Sequence, residues 1–169
     1  QPWALTPEAY GKFLCGLFDV YYRDWVNGDY TSVRLFDDYI HMAMGMPAGT
    51  CATSGSCGAY FVVEGDGTVY PCDFYCLDEW EMGRIGEQSI PELANSEKAR
   101  LFLQQGERKP DACADCRWYS LCHGGCKRDW VENDGKLENY SCLAFKEFFA
   151  YAESRILEIA RAEAEYYRR

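Results

Sequence analysis

The sequence predicts an α+β chain, a small irregular domain with a β-hairpin flanked by an N-terminal helix and a long C-terminal helix. Three observations carry that reading. Apolar residues recur at helical spacing near both ends, two β-rich runs bracket an Asp-Gly turn, and nine of the ten cysteines fall between residues 51 and 142.

Thr6-Pro7-Glu8 supplies an N-cap, a proline at the first helical position and an acid in the first turn. Tyr10, Phe13, Leu14, Leu17, Phe18 and Tyr21 then form an i, i+3, i+4, i+7 stripe up to Asn27-Gly28, predicting a helix over residues 7–26. A short strand is expected at Ser32–Phe36 and a short helix at Asp38–Gly45, before Pro47. Tyr60-Phe61-Val62-Val63 and Thr68-Val69-Tyr70 flank Glu64-Gly65-Asp66-Gly67, whose Asp-Gly is expected to supply the positive-φ residues of a hairpin turn. Cys57 and Cys72 sit at the open end of that hairpin. Ser89-Ile90-Pro91-Glu92 reads as a capping box opening a helix toward Gln104-Gln105-Gly106. Residues 107–142 read as cysteine-rich loop. From Ser141 a last helix carries Phe145, Phe148, Phe149, Ala152, Ile156, Ile159 and Ala160 on one face. There is no internal repeat and no low-complexity segment.

At 169 residues the chain is about one domain by the rule of ~150 residues each. Its 17 basic and 27 acidic side chains give a net charge of −10, which offers no electrostatic footprint for nucleic acid or a membrane surface. No apolar run approaches the roughly 20 residues that span a bilayer, and no leader pattern opens the chain, so a cytoplasmic location is expected. Gln1 and Trp3-Ala4-Leu5 read like the middle of a longer protein, so the chain is expected to be an excised piece.

Cys113-x2-Cys116-x5-Cys122-x3-Cys126 places four thiols within 14 residues. Three can wrap one centre. The fourth follows Gly124-Gly125 and is free to turn toward a second, as the last cysteine does in two-cluster ferredoxins. Two centres need eight thiolates, and Cys51, Cys57, Cys72 and Cys142 complete that number. Zinc is the bland alternative, since it also takes four thiolates, but two short knuckles per site are usual and only Cys72-x3-Cys76 could serve as the second. Ten cysteines in 169 residues fall short of a disulfide scaffold. Iron–sulfur clusters accept irregular spacing and glycine-rich approaches. Eight thiolates around two cores of about +2 would add roughly −4 to an acidic chain, so neutral donors and buried N–H groups must offset that charge.

Cys57-x9-Gly67-x4-Cys72, then Cys113-x2-Cys116-x5-Cys122-x3-Cys126, then Cys142, resembles the seven-cysteine signature of SPASM domains. Those domains extend radical S-adenosylmethionine enzymes that modify peptides and proteins. The resemblance implies an irregular cluster-binding domain holding two auxiliary 4Fe-4S clusters, with Cys51 as an additional upstream ligand. It assigns Cys51, Cys57, Cys72 and Cys126 to the first cluster, and Cys113, Cys116, Cys122 and Cys142 to the second. Pro71-Cys72-Asp73-Phe74-Tyr75, Arg117-Trp118-Tyr119 and the opening Trp3-Ala4-Leu5-Thr6-Pro7 are similar to anaerobic sulfatase-maturating enzymes, which oxidise a sulfatase Cys or Ser to Cα-formylglycine. That similarity implies Asp73 as the catalytic base, a sulfatase polypeptide as substrate, and ferredoxin or flavodoxin as electron partner. A carboxylate suits the task, because a substrate carbon that loses a hydrogen atom leaves a thiol or alcohol that must also lose its proton.

The chain departs from the family in one respect. The C-x3-C-x2-C motif of the radical-generating cluster is absent, so S-adenosylmethionine and a third 4Fe-4S cluster are expected elsewhere in the parent enzyme, and this chain alone is expected not to turn over. The expected organisation is the end of the radical barrel and a linker over 1–46, the SPASM domain over 47–142 and the C-terminal helix over 143–169. Cys15, off the apolar stripe, and Cys76 are read as thiols without a ligand role. His123 could hydrogen-bond a cluster sulfur or simply be exposed, and Lys127-Arg128 could offset cluster charge or be solvated. The alternatives carried are another peptide-modifying radical enzyme's SPASM domain, a stand-alone iron–sulfur electron-transfer module, and a zinc-stabilised binding domain.

Overall fold

The computed structural model describes residues 4–58 and 60–167; Gln1, Pro2 and Trp3 of the opening segment, Ala59, and the C-terminal Arg168 and Arg169 lie outside the described residues. The chain forms two compact units. One combines the N-terminal segment through Ser54 with the segment from Pro110 onward, and the other is Gly55–Lys109.

In the first unit, α1 runs from Pro7 to Asn27. The Thr6 hydroxyl accepts the Ala9 N–H at 3.2 Å, and Gly28 closes the helix at φ 80°, a left-handed conformation that glycine adopts without a Cβ penalty. Leu14, Phe18 and Tyr21 are buried as the stripe requires, but Phe13 is 55% exposed. α1 packs along α7, Cys142–Tyr166, closely enough at Gly11 that an added Cβ would come within 3.3 Å of the Ala144 backbone. α7 buries Phe148, Phe149, Ala152, Ile156, Ile159 and Ala160 from the expected face.

Residues 32–36 are not a strand. α2 occupies Arg34–Ala43, with Val33 as its extended N-cap. Phe36, Tyr39 and Ile40, at i, i+3 and i+4, reach one apolar surface from a helix, and that burial overrides the local β preference of Val33 and Phe36. The Phe36 ring stacks on Phe148 at 5.4 Å, Phe18 meets Phe148 edge-on at 5.5 Å, and Tyr39 meets Phe149 at 4.8 Å. Such ring pairs add about 0.5–1.5 kcal/mol each beyond the area they bury.

The cysteine-rich stretch of this unit is more ordered than loop. A 3-10 turn at Asp111–Cys113 leads to α6, Tyr119–Cys122, after the four-residue α3 at Cys51–Ser54. Trp130–Asn133 and Lys136–Asn139 then pair antiparallel. Their two-residue turn has Asp134 at φ 48° and Gly135 at φ 76°, both left-handed, which matches the twist of a hairpin.

In the second unit β1, Val62–Val63, pairs with β2, Thr68–Tyr70, in the expected hairpin, and Val69 and Thr68 also pair with an unforeseen β3, Gly83–Arg84. Only Gly67 takes positive φ in the turn; Asp66 acts through its side chain, accepting the Thr68 N–H at 2.9 Å and pairing with Arg84 at 2.8 Å. The capping box forms as read, yet the expected single helix breaks into α4, Ile90–Ala94, and α5, Glu97–Glu107. Ser96 restarts the chain by accepting the Ala99 N–H at 3.1 Å, a second N-cap inside the apolar pattern. Val69, Met82, Leu93 and Ala99 form a small core, and Tyr75, Trp80 and Phe102 meet edge to face within 6 Å of one another. No described helix is long and apolar enough to cross a membrane.

Candidate metal centre

Four cysteines, three from residues 113–122 and one from the start of α7, line one narrow pocket of the first unit. Cys113 ends its 3-10 turn, Cys116 follows with its N–H on the Cys113 carbonyl at 3.3 Å, Cys122 ends α6, and Cys142 opens α7. Trp118, Tyr119, Phe145 and Phe149 supply apolar walls. Burial pushes the Cys122 thiol up to about 11; the Gly124 backbone N–H aimed at its sulfur pulls the other way, and the negative charges that Cys113, Cys142 and Cys116 would carry raise it again. Burial also raises Cys142, against the pull of the Lys146 ammonium one turn along α7. Such thiols ionise together only around a polycation, and four soft sulfur donors in an apolar pocket fit an iron–sulfur cluster. The sequence reading brings these four together as one set, and the structure places them around one cavity.

Three candidate ligands share a backbone device that the sequence does not display. The N–H of the residue two positions on is directed at the sulfur in Cys72, from Phe74; in Cys122, from Gly124; and in Cys126, from Arg128. These amides are the neutral donors that the charge arithmetic requires.

Between Cys122 and Cys126 the chain turns through three consecutive left-handed residues, His123 at φ 50°, Gly124 at φ 88° and Gly125 at φ 69°. The Gly124 carbonyl accepts the Trp130 indole N–H and the Asn139 amide, each at 2.8 Å. A Cβ on Gly125 would lie 2.6 Å from that Asn139 nitrogen, so both conformation and space demand glycine there. His123 is half-buried and donates from Nδ1 to the Thr53 carbonyl at 2.7 Å. Thr53 in turn donates to the buried Asp38 at 2.5 Å, which also accepts from Thr50 at 2.7 Å and the Gly49 N–H at 2.9 Å. Burial opposes the Asp38 charge, but these three hydrogen bonds outweigh it and hold the carboxyl below its ordinary value. The network fixes α3, whose first residue is Cys51. Cys126 is raised by burial, and Cys51 is among the charges it feels. Lys127, beside it, is buried rather than solvated.

In the second unit Cys72 is buried, and its thiol donates to Asp73 Oδ1 at 3.3 Å with the Tyr60 hydroxyl 3.9 Å away. Asp73 itself is exposed at the start of a 3-10 turn, Asp73–Tyr75. Cys76 donates to the Cys72 carbonyl at 3.7 Å; burial and the nearby Glu64 carboxylate raise its thiol. Cys57 packs against α5, where an added Cβ on Gly106 would fall 2.7 Å from the Cys57 sulfur. The Lys109 ammonium clamps the same corner by donating to the Gly55 and Gly106 carbonyls. Sequence reasoning took Gly106 only as a helix end; a glycine one residue before that end was the available signal.

A family model for the SPASM domain, described as an iron-sulfur cluster-binding domain, matches residues 55–117, a stretch that includes Cys57, Cys72, Cys113 and Cys116. The chain is 40% identical over 160 residues to a cysteine-type anaerobic sulfatase-maturating enzyme of Clostridium perfringens, covering 94% of this chain and 43% of that protein. A cysteine-type relative from Clostridium novyi is 38% identical, over 97% of this chain and 44% of its own length, and a serine-type relative from Bacteroides thetaiotaomicron is 29% identical, over 88% and 36%. Solved structures titled as anSMEcpe with bound AdoMet, and with AdoMet and the Cp18Cys peptide, superpose with a TM-score of 0.88 at 40% identity, each over 96% of this chain and over 43% and 45% of theirs. The chain spans less than half the length of the relatives it matches.

Proposed function

The chain carries an iron-sulfur cluster-binding SPASM domain, and from that premise we propose that it is the auxiliary-cluster part of an anaerobic sulfatase-maturating enzyme, a radical S-adenosylmethionine oxidoreductase that converts a sulfatase Cys or Ser to Cα-formylglycine. The similarity that carries the reading is its extent: 94% of the chain aligns at 40% identity, and the fold superposes at a TM-score of 0.88. Cys113, Cys116, Cys122 and Cys142 hold one 4Fe-4S cluster, supported by their shared cavity. For Cys51, Cys57, Cys72 and Cys126 as the other set, the support is the order of cysteines along the chain. A cluster bound at Cys72 would supply a one-electron acceptor.

Oxidising a cysteine side chain to the aldehyde removes a hydrogen atom from its β-carbon, the proton from its sulfur and one electron; water then replaces sulfur, released as hydrogen sulfide. Asp73 is assigned the proton. Its carboxylate is exposed to an incoming peptide, and the neighbouring Cys72 sulfur at 3.3 Å ties it to the side of the domain where a ligand would sit. The parent enzyme is placed in the cytoplasm, where thiols stay reduced, and it draws on ferredoxin or flavodoxin for electrons. The higher identity to cysteine-type relatives, 40% and 38% against 29%, supports a cysteine target.

The test is Asp73→Asn in the full-length enzyme, with iron content measured alongside aldehyde formation on a sulfatase peptide. Loss of roughly 100-fold or more in turnover with iron unchanged is the expected result; wild-type turnover would remove Asp73 from the mechanism. Paired peptides carrying Cys or Ser at the target position decide the substrate residue.

A further inference from the structure

Roughly 30 Å along α7 from Cys142, the first unit holds a second cavity of about 210 Å³, between α1, α2 and the C-terminal turns of α7. Its floor is apolar and buried, formed by Tyr21, Ile40 and Ile159. Trp25, Tyr30 and Tyr167 stand at its walls and rim. Two carboxylates also line it, and each is held by neutral donors: Asp37 accepts the Tyr21 hydroxyl at 2.8 Å and the Ser32 hydroxyl at 2.5 Å, and Glu163 accepts the Trp25 indole N–H at 3.2 Å. None of the described lining residues is Lys or Arg, and His41 of α2 is the one basic side chain among them.

We propose that this cavity binds an organic cation, a guanidinium or alkylammonium head on an apolar stem. A carboxylate offers about four acceptor positions, so Asp37 and Glu163 keep lone pairs for a guest after orienting on Tyr21, Ser32 and Trp25. Electron-rich faces of Trp and Tyr attract a cation within about 6 Å, and charge-assisted hydrogen bonds to carboxylates are about twice as strong as neutral ones. A hard divalent ion is poorly matched, because it wants six or more oxygen ligands and gains nothing from Ile40, Ile159 and aromatic walls. A neutral guest would offer the two carboxylates no charge-assisted hydrogen bond.

The experiment is calorimetric titration of the full chain, clusters reconstituted, with butylguanidinium, butylammonium and the neutral isostere butylurea. Both cations are expected to saturate the protein near or below roughly 1 mM, with butylurea at least ~10-fold weaker. The Asp37→Asn/Glu163→Gln double variant is expected to weaken the cations at least ~10-fold and leave butylurea unchanged. If that variant loses its native circular dichroism, Tyr167→Ala at the 71%-exposed rim decides, with a several-fold weakening expected. No saturable cation binding up to roughly 10 mM, equal binding of butylurea, or wild-type affinity in the folded variants would each overturn the proposal. A glycine-flanked arginine tripeptide amide separates the sources. Tighter binding than butylguanidinium assigns the guest to a polypeptide side chain, weaker binding to a free amine or guanidine, and either result supports a cation site.

Discussion

Among the described residues, the first unit packs twelve buried side chains, six of them aromatic, into one cluster along α1, α2 and α7, whereas the cluster in Gly55–Lys109 holds four, of which Ala99 is the smallest and Val69 the only one from a hairpin strand, with Phe102 buried against Tyr75 and Trp80. A free-standing fold of about 55 residues sits at the margin of what a hydrophobic core can stabilise. The difference teaches that the two units hold their cysteines by different means. In the first, packed rings and a long helix set the sulfur positions. In the second, single backbone devices do so: Gly106 under Cys57, the Lys109 clamp, and the Phe74 amide at Cys72.

The severest test of that contrast is anaerobic removal of iron. Because cluster binding is folding free energy, amides of Gly55–Lys109 are expected to lose hydrogen-exchange protection by orders of magnitude while the α1, α2 and α7 amides stay protected. Simultaneous loss in both units would abolish the distinction. Next in size, Phe148→Ala removes a ring at the centre of the aromatic core and is expected to cost the metal-free first unit about 3–5 kcal/mol in denaturant unfolding. Gly106→Ala sharpens the comparison from the other side, since its methyl would run into Cys57, 2.7 Å from the sulfur and 3.0 Å from its Cβ. The reconstituted chain is expected to keep about half its iron, the part held by the Cys113 set, with Cys15→Ala and Cys76→Ala unchanged as controls.

Asp38→Asn is expected to destabilise the first unit by about 1–3 kcal/mol, because a buried acceptor of three hydrogen bonds is weakened. The Asp38 carboxyl is held below its unfolded value, so its contribution is present above about pH 4 and is lost as pH falls through the lower folded value. Thermal melts of the wild type and variant are expected to converge on acidification. The smallest effect belongs to Asp66→Asn, which removes an exposed pair with Arg84 and is expected to leave the denaturant midpoint of the second unit nearly unchanged.

What the sequence revealed follows the range of the forces involved. α1, α7 and the β1–β2 hairpin were legible because their signals are local: Thr6-Pro7, an unbroken stripe ending at Gly28, and two β-rich runs around Gly67. The hairpin of Trp130–Asn133 and Lys136–Asn139 was missed although Asp134-Gly135 announces it, since Glu132, Asn133, Lys136 and Glu138 give its strands little apolar alternation. The start of α2 was misread as a strand because its burial against α7 is a long-range fact, while Asp38–Ala43 lies within the expected helix. At the site, the grouping of Cys113, Cys116 and Cys122 was readable from spacing, and Cys142 joined them through the family resemblance. Lys146, the Asp38 network and the amides at the sulfurs were not, because each depends on where distant backbone comes to rest.

The amides at Cys72, Cys122 and Cys126 come from Phe74, Gly124 and Arg128, residues whose side chains are irrelevant to the donation. Under the ligand assignment proposed above, hydrogen bonds to the sulfurs are one of the terms that set a cluster's reduction potential. That term is therefore insulated from mutation: the side chains at 74 and 128 can change without touching the donated hydrogen bond, provided the chain keeps its path, although replacing Arg128 also removes a positive charge that acts on Cys126, and proline is the one common residue that deletes the donor outright. The residues around a cluster can change and still leave this part of its electrical set-point in place, because it is stored in the course of the backbone.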